Sequence, residues 1–159
     1  MRPRWFFFYG TLGPESGTAM ARWLGSRIAA ASPATAPGRL LAIRDRGGWY
    51  PALVRGRAGE RTHGTLARVV LAPGVLARID RYEGREYRRA ALLVRAGGAR
   101  QVATIYLWRG PARGLPVRGG DFPAWLNRSR RRAFGAEPAV RSSSCGIDRA
   151  WSACHRAAP

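Results

Sequence analysis

Apolar and polar positions alternate along the chain in short blocks of two different periods. Residues 4–9 (RWFFFY) form an unbroken aromatic run, which predicts a buried strand. Gly10 ends that run, and residues 11–17 read as a loop broken at Gly13-Pro14. Met20, Trp23 and Leu24 recur at helical spacing, with Ser16 the expected cap and Gly25 the stop. Residues 38–44 (GRLLAIR) predict a strand. Residues 49–55 (WYPALVR) predict a short extended piece in which Pro51 calls for an edge or a bulge. Residues 63–71 (HGTLARVVL) predict a further strand, and a helix follows from Pro73 to a stop at Gly84. Residues 86–95 and 100–108 read as two strands joined at Gly97-Gly98, a hairpin signal. Asp121 is the expected cap of a last helix with Trp125 and Leu126 on one face. Five or six strands with about three short helices, in mixed order, predict an α+β domain on a curved, largely antiparallel sheet.

After about Asn127 the periodicity stops. A basic run at 129–132, a serine run at 142–144 and a closing Ala-Pro replace it. The expected organisation is one domain over residues 1–127 and a basic, poorly ordered tail over 128–159.

The helix from Pro73 carries the first chemical signal. Val75, Leu76, Ile79 and Tyr82 fall on one arc, and Glu83 falls inside it, four residues after Ile79. A carboxylate on the apolar arc loses water, and at a helix C-terminus it meets the unfavourable end of the dipole. Both effects raise its pKa and make it a better proton acceptor near neutrality. Asp80 sits on the margin of the arc and is expected to be exposed. Two readings of Glu83 fit the pattern: a general base, or an ion-pair partner of Arg85, Arg88 or Arg89.

The second signal is the turn Tyr9-Gly10-Thr11-Leu12. Gly10 permits close backbone approach, and successive N–H groups there can form a nest for an anion. An ordinary strand exit accounts for the same residues.

Composition adds a net charge of +19, which raises the question of nucleic acid. All 28 basic residues are Arg, and they are spread along the chain among many Ala, Gly and Pro residues, as compositional drift produces. No RNA or DNA motif accompanies them, and Arg130–Arg132 is the best support for an Arg-rich nucleic-acid-binding reading. Neither nucleic acid nor membrane is an expected partner. The apolar run at 5–9 is too short for a signal peptide, the Ala-rich stretch 28–36 comes late, and no segment has the length of a membrane span. Cys145 and Cys154 are the two cysteines and both lie in the tail, so the expected compartment is the reducing cytoplasm. Cys145, Cys154 and His155 fall short of a four-ligand metal pattern, and His63 reads as a bystander.

Taken together, the motifs resemble a known family. FFFYGTL resembles the YGSL/YGTL loop of the γ-glutamylcyclotransferase-like (AIG2-like) superfamily, whose members include γ-glutamylamine cyclotransferase. Residues 79–88 (IDRYEGREYR) resemble its Leu-Asp-x-x-Glu-Gly…Tyr-x-Arg segment. Trp49-Tyr50-Pro51-Ala52-Leu53 resembles its Tyr-Pro-Ala motif, and Gly119-Gly120-Asp121-Phe122 its Gly-Asp-Trp/Phe. The order is the family's, over roughly residues 4–127. The resemblance implies a small mixed barrel-like sheet flanked by short helices. It implies that Glu83 is the general base and that Tyr9, Gly10, Thr11 and Leu12 form the substrate loop. The family's reaction cyclises a γ-glutamyl group to 5-oxoproline and frees the attached amine. Its substrate is a small γ-glutamyl molecule, and it needs neither metal nor cofactor, because one molecule carries both reacting groups. Tyr50 and Tyr87 are candidates to line the pocket, with core packing as the alternative. A non-catalytic γ-glutamyl-binding protein on the same fold is the main rival to the enzyme.

Overall fold

The computed structural model describes residues 2–136. The predicted tail therefore lies outside the described residues from 137 onward, Cys145, Cys154 and His155 included.

Eight strands and three α-helices make up this part. In chain order they are β1 (Arg2–Phe8), α1 (Ala19–Gly25), β2 (Ile28–Pro37), β3 (Arg39–Asp45), β4 (Gly48–Val54), β5 (Arg61–Leu71), α2 (Val75–Glu83), β6 (Tyr87–Ala96), β7 (Ala99–Trp108), the two-residue β8 (Leu115–Pro116) and α3 (Phe122–Arg128). A 3-10 turn at Pro14–Ser16 precedes α1. Five strands close a barrel in the order β1-β5-β2-β6-β7, and β4-β3-β8 form a second sheet. The barrel is mixed because β1 meets β7 in parallel, at Phe6↔Thr104, while its other seams are antiparallel.

The aromatic run has a simple physical basis. Side chains along a strand point alternately to opposite faces. Phe6 and Phe8 stack at 5.6 Å in a core with Met20 and Leu24 of α1 and Val75 and Ile79 of α2. Phe7 and Tyr9 stack at 6.3 Å in another core with Leu40, Leu66, Val94, Ile105 and Phe122. Both faces of β1 are thus covered, which removes the usual polar alternation.

Two expectations need correction, and one strand escapes the sequence pattern. The Ala-rich stretch 28–36 lies in strand β2, because Ala34 and Ala36 fill narrow buried positions beside β5. Alanine and proline are poor strand formers, so propensity hides it. The cap of α1 is Thr18, whose Oγ1 accepts from the Ala21 N–H at 3.1 Å; Ser16 belongs to the turn before it. Helix α2 begins at Val75 behind Gly74 rather than at Pro73. Its stop is as expected: Gly84 takes φ +79 and donates its N–H to the Asp80 carbonyl at 3.1 Å. The Gly97-Gly98 hairpin, the Asp121 cap and the edge position of the Pro51 strand also match the sequence pattern.

Residues 129–136 run back across the domain instead of leaving it. Trp49 and the strap exchange backbone bonds, Trp49 N–H to Arg132 C=O at 2.9 Å and Phe134 N–H to Trp49 C=O at 2.7 Å. The Arg131 guanidinium sits over the rings of both Trp49 and Trp125, at 4.4 and 4.7 Å.

Candidate active site

Glu83 is the last residue of α2, half-buried against the end of β1. Its carboxyl is pushed up to about 8, first by burial and then by the nearby Asp80 carboxylate. The ion-pair alternative does not apply within the described residues. Arg89 donates to Asp80 at 2.5 Å instead, and no arginine pairs with Glu83. Asp80 is therefore engaged on both oxygens, since Tyr106 Oη–H donates to Oδ1 at 2.6 Å. The sequence pattern placed Asp80 outside the site and gave no sign of Tyr106. The β6–β7 register supplies the link, setting Arg89 opposite Tyr106.

Three tyrosines frame Glu83, each with its hydroxyl committed. Tyr9 donates to the Tyr106 carbonyl, and Tyr87 donates to the Pro51 carbonyl at 2.6 Å. Burial raises all three phenols above their ordinary value, so they stay protonated and donating. Tyr9 and Tyr87 are walls rather than free hydrogen-bonding groups.

The Tyr9–Leu12 turn passes directly beside the acid. A Cβ on Gly10 would lie 2.1 Å from Pro51 Cγ, so glycine is required there by the proline of β4. The close approach anticipated for a ligand at Gly10 is thus made by Pro51, which ties the Tyr-Pro-Ala motif to the turn. Beyond Gly10 the backbone is locked on one side. The Gly10 carbonyl accepts from the Gly13 N–H at 2.8 Å. The Thr11 carbonyl accepts from both Ser16 Oγ and Thr18 Oγ1 at 2.7 Å. In a trans peptide the next N–H points opposite its carbonyl. The Thr11 and Leu12 N–H groups are therefore turned away from the loop interior, and neither meets a protein acceptor among the described residues.

Two adjoining spaces meet at Glu83. A cavity of about 20 Å³ lies between Glu83, the turn, Pro51, Tyr87 and Tyr106. An outer cleft of about 290 Å³ is bounded by Thr11, Tyr50, Tyr82, Glu83, Trp108 and Phe134. A cleft of about 430 Å³ on the other side of the turn, past His63, Arg95 and Asp121, does not reach Glu83. Size does not select the spaces at Glu83; the perturbed carboxyl and the free N–H groups do. Of the sequence-predicted residues, Glu83, Tyr9, Gly10, Thr11, Leu12 and Tyr87 line the inner cavity, and Tyr50 lines the outer cleft. Trp108 and Phe134 were not anticipated; Phe134 lies in the segment read as tail.

The family profile described as gamma-glutamyl cyclotransferase, AIG2-like, matches residues 6–125. The chain belongs to this family. Solved structures share the fold of these cyclotransferase-like proteins. YkqA from Bacillus subtilis is 17% identical at a TM-score of 0.64; the match covers 81% of this chain and 43% of that one. An uncharacterized protein from Pyrococcus horikoshii is 18% identical at 0.57, over 80% and 96% of the two chains. An AIG2-like protein from Mus musculus is 19% identical at 0.53, over 79% and 84%. The chain thus spans less than half the length of YkqA. No curated protein matches it. Among the described residues no helix is long and apolar enough to cross a membrane.

Proposed function

We propose that the chain is a γ-glutamyl cyclotransferase that releases 5-oxoproline from a small γ-glutamyl amide, with Glu83 as its general acid and base. The observation that carries this reading is a half-buried carboxyl raised to about 8, which among the described residues has no ion-pair partner and lies beside two unbonded backbone N–H groups.

The chemistry follows from that arrangement. The substrate's α-amine is the nucleophile, and it must shed a proton to attack the γ-carbonyl. Glu83 accepts that proton. The bond from the α-nitrogen to the γ-carbon forms, the oxyanion faces the Gly10–Leu12 turn, and the γ-amide C–N bond then breaks. Glu83 returns the proton to the leaving nitrogen. Starting from the α-ammonium, two protons leave the nucleophile and two arrive on the departing amine, so the reaction consumes no water and no net proton. Holding both reacting groups in one molecule removes most of the entropic barrier, and the chemistry requires no cofactor. In this reading Tyr9, Gly10, Thr11 and Leu12 cradle the γ-glutamyl unit, and Tyr50 and Tyr87 wall the cleft. The lack of cysteine in residues 1–127 fits a cytoplasmic enzyme.

Glu83→Gln removes the base while keeping the shape. We expect 5-oxoproline release from γ-glutamyl amides to fall by 10²-fold or more, with an unchanged circular-dichroism melt. Turnover retained in the folded variant would rule Glu83 out as the base.

A further inference from the structure

The cleft on the far side of the Tyr9–Leu12 turn has two walls of unlike charge. One wall is the outer face of the barrel. Thr35 of β2 pairs with His63 of β5 and with Arg95 of β6. Residues directly opposite in a sheet project to the same side, with Cβ atoms about 5 Å apart. His63, Thr35 and Arg95 therefore form one row of side chains across three strands. Ala34 and Ala36, on either side of Thr35, are buried, so the row points out of the barrel and into the cleft. The other wall is loop. It carries Glu15 from the 3-10 turn and Asp121 from the start of α3.

Packing holds the two walls together. The Gly120 carbonyl accepts from the His63 N–H at 2.7 Å, and a Cβ on Gly120 would lie 2.0 Å from the Arg61 carbonyl oxygen. Glycine there lets the chain lie close on β5 and sets Asp121 near the His63 end of the row. Asp121 commits Oδ1 to the Ala124 N–H at 2.9 Å. Across a space of about 430 Å³ the opposite charges do not meet: among the described residues no ion pair engages Arg95, Glu15 or Asp121. That volume falls within the roughly 300–1,000 Å³ of small-ligand sites.

A guanidinium takes a carboxylate through two parallel N–H donors, and carboxylates take an ammonium group. A simple anion on Arg95 would face two carboxylates. A simple cation on those carboxylates would face the guanidinium. A molecule that carries both charges satisfies both walls at once. Pro14, Pro33 and Pro123 add apolar surface for a hydrocarbon side chain.

We infer that this cleft binds a free α-amino acid, its carboxylate on Arg95 and the Thr35 hydroxyl and its ammonium group on Asp121 and Glu15. The cleft is separate from the spaces at Glu83, and the assignment does not rest on the cyclotransferase reading. Tyr9 and Gly10 line both this cleft and the inner cavity. An occupant therefore lies against the back of the turn whose front meets Glu83.

The test uses the isotope-labelled full chain, read by amide NMR, with three probes of one shape: L-leucine (zwitterion), N-acetyl-L-leucine (anion) and L-leucinamide (cation). L-leucine should shift the amides of Gly13, Gly64 and Gly97, which line the cleft, and leave that of Gly84 beside Glu83 in place. Its Kd should be about tenfold lower than that of either singly charged probe. Arg95→Gln and Glu15→Gln should each raise that Kd about tenfold with an unchanged thermal melt, since both side chains are exposed. A singly charged probe that binds as tightly as L-leucine overturns the proposal. So do shifts centred on Gly84, no shift at the cleft glycines with any probe, or an L-leucine affinity that neither variant alters.

Discussion

Glu83 draws its basicity from two sources, lost water and the Asp80 carboxylate, in that order. The sign of the pH dependence follows. A base works in its ionised form, and with a pKa near 8 most of Glu83 is protonated at pH 7. The log of kcat/KM should therefore rise with pH and level off above about 8. Asp80→Asn deletes the second source and releases Arg89 from its partner; both changes favour the carboxylate. The midpoint of the profile should move down by about one unit, measurable as kcat/KM from pH 5 to 10. A midpoint that stays in place would mean that burial alone sets it. The arc of α2 already aimed Glu83 inward, so this much was legible in residues 75–83. The partners of Asp80 were not, because Arg89 and Tyr106 arrive from β6 and β7.

Between elements, the loop from β1 to α1 does the positioning. Thr18 is 1% exposed, and one hydroxyl serves two ends: it caps α1 through the Ala21 N–H and clamps the Thr11 carbonyl. Thr18→Ala should cost about 1–2 kcal/mol in urea unfolding. It should also raise KM for a γ-glutamyl amide, because the Leu12 N–H loses its fixed direction. Thr18→Ser keeps the oxygen and should restore both; a Ser variant as impaired as Ala would point to packing of the methyl group instead. Element by element, strong apolar periodicity was legible and weak propensity was not. The aromatic run of β1 and the glycine stop of α2 announced themselves. β2 did not, since its evidence is small residues fitted against β5, which only pairing reveals. The cap is Thr18 rather than Ser16 because α1 starts at Ala19 and Thr18 Oγ1 accepts from the Ala21 N–H, while Ser16 is taken up by the 3-10 turn before it.

At the scale of the molecule, residues 129–136 join the far end of the domain to the cleft. Arg131 lies over Trp49 and Trp125 and so holds the strap that presents Phe134. Arg131→Ala should lower stability by about 1 kcal/mol, read from a tryptophan-fluorescence melt. It should weaken the cleft's hold on substrate more than it slows the chemistry, appearing mainly in KM. An effect confined to kcat would argue against the strap as part of the binding wall.

The sequence by itself determined the α+β class, the buried first strand, the inward carboxylate at the end of α2 and the family motifs that tie Glu83 to the Tyr9–Leu12 turn. These are local properties: periodicity, a glycine at a turn, an acid on an apolar arc. The tertiary structure alone decided that Gly10 answers to Pro51, that Asp80 joins Tyr106 and Arg89 behind Glu83, and that Phe134 closes an aromatic and acidic cleft lined by no arginine among the described residues. Each of these joins residues far apart in the chain, and barrel closure and strand register bring them into contact. The turn and the acid could be read one at a time; the space between them could not.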